Sequence, residues 1–266
     1  MTRQLRLAQK IYANKSKLAY SDLLSKDDYE CKRADLLRLA TQHRRQRRLR
    51  ISSDLCLVFE TRFTAWLQIQ EELRWLTQPS VNDLEEVVTR CNLLVTNPGE
   101  LSATLFVDGG DNPASRYWIK CIAANAFNLA LRLCGRVMHG HPRESPANEL
   151  AAVHTFIFQP TASCGPATEI IWGDTAAQHT APLSAVTRYV LTQDLNPASN
   201  TNCFLAPMAE RAELVKPVHP GIKVGPPNLG PPKYPPLRAV VERKPETGGD
   251  TTPQKGGQNQ LNPRAD

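Results

Sequence analysis

The chain has 266 residues, of which 41% are hydrophobic and 22% are charged, and its formal net charge is +6 at pH 7. This length suits one large domain or two small ones, and the apolar content is sufficient for a folded core. No apolar run approaches the ~20 residues of a membrane-spanning helix, and no secretory signal is found, so we expect a cytoplasmic protein without a membrane partner. Seven cysteines without a Cys-x-x-Cys pair favour a reducing compartment over a disulfide framework.

The charge is unevenly distributed along the chain. Residues 1–50 hold 14 Lys and Arg against 5 Asp and Glu, residues 51–195 hold 9 against 15, and residues 196–266 hold 9 against 6. A basic N-terminal segment beside an acidic body is not the pattern of a uniformly basic nucleic-acid-binding protein.

Residues 1–20 contain five cations and no acid. Leu5, Ala8 and Tyr12 could form one face of a short helix, and an organelle transit peptide has a similar composition. We nevertheless expect a frayed, basic N-terminal extension that lies outside the folded domain.

The ordered part of the chain is predicted to begin at Ser21. Ser25 or Asp27 is a candidate cap of a first helix that reaches about Arg47. The further predicted elements are, in order, strands Leu49–Ile51 and Leu55–Glu60, a helix from Phe63 to Leu76, a helix capped by Ser80 and broken at Asn97-Pro-Gly99, strand Leu101–Val107, a helix over 114–126, a hairpin of Phe127–Leu133 and Arg136–His139, strands Ala151–Phe158 and Glu169–Trp172, and a helix from Ser184 to Leu195. Adjacent strands mixed with helices predict an α+β fold, a single domain over residues 21–195 with a mostly antiparallel sheet packed by helices.

After Leu195 the composition changes. Residues 217–266 contain 11 Pro and 7 Gly. Such a segment has too little apolar surface to offset the entropy of ordering, so we predict that residues 196–266 form a Pro/Gly-rich disordered tail. Its Pro-Pro-x-Tyr string at 231–234 is typical of ligands for polyproline-binding domains, but in a segment this rich in proline we interpret it as a spacer.

Four segments carry motifs in a fixed order: Asp22–Glu30, Leu57–Arg62, Gln68–Arg74 and Gly99–Phe106. Their order and spacing resemble the bacterial domain-of-unknown-function family 3501 over about residues 22–195, most strongly through the fourth segment. The resemblance implies a fold and a domain boundary, but it implies no reaction.

The chain departs from this family at two places. Cys91–Thr96 stands where the family tends to read Tyr-Asn-Pro-Leu-Ile-Pro, and Gly173–Thr175 stands where members often carry Asp-His-Pro. The resemblance also implies a small cytoplasmic protein encoded beside rubrerythrin-like and iron–sulfur oxidoreductase proteins. We therefore expect a protein partner from an iron or peroxide-related redox system.

Polar residues in the second and third motifs form the candidate partner-binding set. On a helix, Gln68 and Glu71 lie within one turn of each other, and Arg74 follows Glu71 by three residues. The alternative is a network of exposed helix pairs that contributes about 0.2–0.5 kcal/mol per pair and has no further role. If the set docks a partner, joint substitution of Glu71 and Arg74 leaves the fold intact and weakens binding. The complete set is Glu60, Arg62, Gln68, Gln70, Glu71 and Arg74.

The basic run from His43 to Arg50 is the second candidate site. Arginines at this density could contact nucleic-acid phosphates in a salt-sensitive manner. No recognition motif follows, and a solvated helix end or a segment folded against the acidic body is the alternative that we favour. The nucleic-acid candidates are Arg44, Arg45, Arg47, Arg48 and Arg50.

No catalytic motif and no cofactor-binding motif is found. His139-Gly-His141 could place two imidazoles on one face of a strand, but Gly140 and Pro142 favour a loop and no further ligand accompanies the histidines, so we assign no metal site. The sequence predicts a non-enzymatic accessory or protein-binding factor. A nucleic-acid-associated protein is the alternative, and a small enzyme without a recognisable motif is the least favoured.

Overall fold

The computed structural model describes residues 2–108, 112–133, 135–143, 152–159, 166–196 and 204–205. These residues lie in the first of the chain's two units, residues 1–222. The helices are, in chain order, α1 (Arg3–Ala13), α2 (Lys26–Arg45), α3 (Arg62–Trp75), α4 (Val81–Cys91), α5 (Pro113–Ala123) and α6 (Ala185–Leu195). The strands are β1 (Arg48–Arg50), β2 (Leu55–Glu60), β3 (Leu101–Val107), β4 (Asn128–Leu133), β5 (Arg136–Pro142), β6 (Val153–Phe158), β7 (Ala167–Gly173) and β8 (Gln178–Pro182). The predicted α+β class is confirmed.

All eight strands belong to one antiparallel sheet with the order β1-β2-β3-β6-β5-β4-β7-β8. The predicted hairpin of β4 and β5 is confirmed, and its turn residue Gly135 has φ +80°, a conformation that favours glycine. β5 continues through Gly140 to Pro142, where the sequence predicted a loop. Gly140 is needed in this strand because a Cβ there would lie 2.8 Å from the ring of Phe158.

The sheet curls around one apolar core. Alternate side chains of β2 to β7 point inward and belong to a single buried cluster, which α5 and α6 complete with residues such as Ile122 and Leu191. This alternation of inward and outward residues is the period-2 pattern of strands with one buried face. The core therefore fixes which side chains point to the outer face of the sheet.

The outer face is divided into two halves. On β2, β3 and β6 most of its residues are buried, including Cys56, Ser102 and Ile157, although Val153 at the start of β6 is exposed, and α2 lies against β2. On β5, β4, β7 and β8 its residues are largely exposed, as Val137 shows with 45% of its surface accessible. The second half is therefore the more solvent-accessible part of the outer face.

Helices α1 to α4 form a second apolar cluster. Its centre is α3, in which every residue from Arg62 to Gln70 except Gln68 is buried. Trp66 contacts the rings of Tyr29 and Phe63, at centroid distances of 6.3 and 6.2 Å. A helix buried on all sides places its polar side chains inside the protein, and this determines what the predicted binding residues can do.

The structure contradicts the expectation that residues 1–20 are a solvated extension. Helix α1 packs against α2 and α3, and Ala8, Ile11 and Tyr12 are buried in the helical cluster. Helix α1 has the predicted apolar face, but this face packs in the helical cluster and is not exposed to solvent. Because this face is buried, the N-terminal helix belongs to the folded domain.

The core also extends past the predicted boundary at residue 195. Phe204 is fully buried and belongs to the helical cluster, where its ring stacks on that of His43 at 4.5 Å. The prediction that the disordered tail begins at residue 196 is therefore wrong at Phe204. The rest of the predicted disordered tail, residues 197–203 and 206–266, lies outside the described residues.

Candidate functional site

Arg62 is a buried structural residue, which contradicts its assignment to a docking face. It follows Thr61, the N-cap of α3, whose hydroxyl accepts from the Thr64 amide while the Thr64 hydroxyl accepts from the Thr61 amide. Its guanidinium donates to the Ile11 carbonyl at 3.2 Å and pairs with the carboxylate of Asp22 at 2.7 Å. These bonds hold α1 and the segment that follows it against α3.

Glu60 and Gln70 are also turned inward. Gln70 is 3% exposed, and its amide nitrogen has no hydrogen-bond partner in the described part of the chain. One carboxylate oxygen of Glu60 is likewise buried without such a partner there, beside Ser102 on the neighbouring strand. Gln68 is half-buried and donates to Glu72 at 3.1 Å. The structure therefore does not bring these side chains together on an accessible face.

Glu71 joins α3 to α2. Its carboxylate accepts from the Tyr29 hydroxyl at 2.5 Å and from two guanidinium nitrogens of Arg33 at 2.7 and 2.8 Å. Burial acts to raise the pKa of Glu71, but the bonds from Arg33 and Tyr29 outweigh it and lower the pKa below its ordinary value. Substitution of Glu71 removes a link between helices, so the expectation that a Glu71 and Arg74 double variant keeps its fold is not supported.

Arg74 lies at the surface, beside an exposed tryptophan that the sequence analysis did not single out. Trp75 is 69% exposed at the end of α3, and Val81 is 69% exposed at the start of α4. The Arg74 guanidinium lies 5.1 Å from the centroid of the Trp75 ring and pairs with Glu30. We call Arg74 and Trp75 the Trp75 surface. The signal in the sequence was the position of Trp75, which falls off the apolar spacing set by Phe63, Trp66 and Leu73.

A buried polar network connects α1, α2 and α6. Arg47 is fully buried, and its guanidinium donates to the Asp194 carboxylate at 3.0 and 3.2 Å. The Tyr12 hydroxyl donates to the same carboxylate and accepts from Arg47 at 3.4 Å. Burial acts to lower the pKa of Arg47, but Asp194 and Tyr12 outweigh it and raise the pKa. The guanidinium is therefore held as a cation inside the protein.

His43 extends this network to Phe204. Its Nδ1 lies 2.7 Å from the Phe204 carbonyl oxygen, an acceptor that favours a proton on Nδ1, and 3.2 Å from a guanidinium nitrogen of Arg47. Its Nε2 lies 3.0 Å from the Thr61 hydroxyl. Burial, and next the charge of Arg47, lower the pKa of His43 well below its usual value. The imidazole is therefore neutral at pH 7. Because it is fully buried, it is not placed to exchange protons with a substrate.

Next to the network lies a cavity of about 40 Å³, lined by residues that include Tyr12, Lys15, Glu60 and Asp194. A space of this size accommodates ordered water. The cavity therefore combines a polar lining with room for water beside the ion pair. The network positions α1, α2 and α6, and its chemistry is that of a buried ion pair.

The basic run divides into buried and exposed residues. Arg47 is inside the protein, so its assignment to nucleic-acid binding is wrong. Arg48 donates to the Cys56 sulfur at 2.9 Å, and Arg50 pairs with Asp108 at 3.2 Å. Arg44 is half-buried and Arg45 is exposed at the end of α2. The run therefore does not act as one unit.

The open half of the sheet carries the two histidines of the His139-Gly-His141 motif. His139 lines a groove of about 280 Å³ on this face together with Asn128, Arg132 and Gln178. Within the described residues, no three His, Cys, Asp or Glu converge into a group that could hold a metal ion. Among the same residues, no helix combines the length and apolar character needed to cross a bilayer.

Comparison with known proteins agrees with the fold and supplies no activity. A crystal structure at 1.90 Å resolution of a novel protein of unknown function from Burkholderia pseudomallei K96243 is similar, with 19% identity and a TM-score of 0.57. The similarity covers 68% of this chain and all of that one, and at this identity it shows the fold alone. No curated protein matches the sequence. A family model matches residues 17–195, and the chain therefore belongs to the family described as protein of unknown function DUF3501.

Proposed function

We propose that this protein is a non-enzymatic accessory factor of the cytoplasm that binds a partner protein through the Trp75 surface. The observation that carries the proposal is the exposure of Trp75. A large aromatic side chain with 69% of its surface accessible gains little from folding in that position. Tryptophan and arginine are the residues most enriched among those that dominate protein–protein binding energies.

The surroundings of Trp75 suit a protein partner with an apolar pocket and an acidic rim. Arg74 stacks over the indole ring, and the Lys26 ammonium donates to the Leu76 carbonyl at 3.5 Å, so two cations flank the aromatic residue. In the free protein, the Arg74 guanidinium forms an ion pair with Glu30. A carboxylate of the partner could replace Glu30 when the indole enters the pocket. The new ion pair with Arg74 would fix the orientation of the partner.

The class of partner comes from the family resemblance. A rubrerythrin-like or iron–sulfur protein of an iron or peroxide-related redox system is the partner that we propose. In this role the protein carries no redox group of its own and acts by docking.

The test is capture with the purified full-length chain, followed by reconstitution with the identified and purified partner. We expect a redox protein whose affinity falls at least about tenfold when Trp75→Ala is introduced, as for a binding hot spot. Val137→Ala is the matched control, because Val137 is 45% exposed on the open half of the sheet. Equal affinities for the wild type and Trp75→Ala would refute the role of the surface. A partner without redox chemistry would refute the link to redox metabolism.

A further inference from the structure

Helix α1 presents a row of unpaired cations to solvent. Arg3, Arg6 and Lys10 are exposed and recur at intervals of three and four residues, so they share one face of the helix. No acidic residue occurs in α1. In the described part of the chain, no ion pair involves any of the three.

The stability of the helix does not account for Arg3 and Arg6, whereas Lys10 lies in the last turn of α1, where a cation is stabilising. The first turn of α1 lacks an acid, and Arg3 is its first helical residue. The N-terminus of a helix carries a partial positive charge, so a cation there is unfavourable. The end of α2 is different, because Arg44 and Arg45 lie in its last turn, where cations are stabilising. Arg3 and Arg6 therefore need another explanation.

The C-terminal ends of α1 and α2 lie close together. α1 packs beside α2, and Tyr12 at the end of α1 contacts the ring of His43 near the end of α2, at 5.6 Å. No acid occurs between residues 36 and 50 of the sequence. We call Arg3, Arg6, Lys10, Arg44 and Arg45 the basic surface.

The surface lacks the features of the two other common anionic partners. A bilayer would require the apolar face of α1, and this face is packed in the helical cluster. A protein interface requires a central apolar anchor. Among the described residues, no large hydrophobic side chain exposed to solvent lies on α1 or α2. A surface made of cations alone matches a regular array of phosphates.

We propose that the basic surface binds the phosphate backbone of nucleic acid without reading its sequence. The proposal goes beyond the protein-docking function and is independent of the Trp75 surface. It differs from the sequence-based expectation, because the cations of α1 replace Arg47, Arg48 and Arg50 as the main contacts.

The test measures the affinity of the full-length chain for a fluorescent DNA duplex of mixed sequence, about 20 base pairs long, as a function of salt. The variant Arg3→Gln, Arg6→Gln, Lys10→Gln removes three contacts, each of which contributes about 0.9 to the slope of log K against log salt. Between 50 and 200 mM salt, the wild type should therefore lose roughly 40-fold more affinity than the variant. Gln keeps the helix propensity, and an unchanged melting temperature verifies the fold.

The matched control removes the same charge elsewhere. Lys120, Arg136 and Arg188 are exposed on α5, β5 and α6, and their joint replacement by Gln should leave the slope unchanged. Equal slopes for both variants would overturn the proposal, because net charge alone would then explain binding. Displacement of the duplex by polyglutamate of equal charge, as effective as displacement by unlabelled DNA, would also overturn it in favour of an acidic protein partner. Absence of DNA binding at low salt would also overturn the proposal.

Discussion

Similar ion pairs differ in burial between the helical side of the molecule and the open half of its sheet. On the helical side, Arg47 and Asp194 are 0% and 9% exposed and are surrounded by further hydrogen bonds. On the open half, Arg132 and Glu169 are 37% and 29% exposed and pair across neighbouring strands. The difference shows that arginine content does not locate a binding surface, because burial decides whether a charge supports the fold or faces a partner.

The largest effect is expected from Asp194→Asn. The amide keeps the size of the carboxylate but leaves the charge of Arg47 buried without a counter-ion, which costs about 3–5 kcal/mol. The free energy of unfolding from urea denaturation measures this loss. A loss below about 1 kcal/mol would mean that Arg47 is solvated, so that the helical side and the open half of the sheet would not differ in the burial of their ion pairs.

A double variant sharpens this result. Arg47→Met combined with Asp194→Leu removes both charges, and apolar replacement of a whole buried pair is often neutral or stabilising. We expect the double variant to be more stable than Asp194→Asn. If it is equally unstable, loss of the Tyr12 contact and not the unpaired charge is the cause.

Phe204→Ala comes next, with an expected loss of about 3 kcal/mol for a buried phenylalanine. The effect arises because the ring fills a space between Tyr12, His43 and Phe63. Thermal and urea unfolding both measure it. Phe204→Leu should lose much less, since it retains most of the apolar volume. An unchanged stability would mean that the helical cluster does not require residues beyond 195.

The third effect is a pH dependence of stability caused by His43. Its pKa is lowered in the folded protein, so the unfolded chain binds a proton first as the pH falls below about 6.5. Stability should therefore decrease below this pH, by up to about 1.4 kcal/mol per pH unit. The Tyr12 ring contacts the imidazole, the Arg47 guanidinium lies 3.2 Å from Nδ1, and the charges of Arg47 and Arg44 oppose protonation.

His43→Asn is the control for this dependence, because its amide can still donate to the Phe204 carbonyl but does not titrate. The lowered pKa of Glu71 adds a separate loss of stability below about pH 4.5. The two windows are distinct. A His43→Asn variant with the wild-type slope between pH 6.5 and 5 would assign the dependence to other groups.

The sequence predicted the helices and strands better than the tertiary contacts between them. The apolar face of α1 follows from its helical spacing, but the sequence does not show that α2 and α3 bury this face. Nor does it show that Tyr12 contacts Asp194 and Phe204, which are nearly 200 residues away. β8 was missed, because Gln178–Pro182 has neither strong alternation nor β-branched residues apart from one threonine. It is a strand because β7 pairs with it.

The candidate sites were less predictable than the fold for a related reason. Glu71 looks like an exposed helix residue until Tyr29 and Arg33 of α2 are placed against it. Among five arginines within seven residues, only tertiary packing selects Arg47 for burial. The polarity of a residue is visible in a sequence, but its partners across the fold are not.

The smallest effect is expected from Glu169→Gln, on the open half of the sheet. Solvent screens this pair, so its loss should change the free energy of unfolding by about 0–1 kcal/mol, with less effect at high salt. Urea denaturation at two salt concentrations measures this, with Asp194→Asn as the reference. Because Glu169 holds Arg132 on the rim of the groove, the variant frees the guanidinium without disturbing the core. A loss as large as that of Asp194→Asn would mean that this half of the sheet is shielded from water in solution, so that the two regions do not differ.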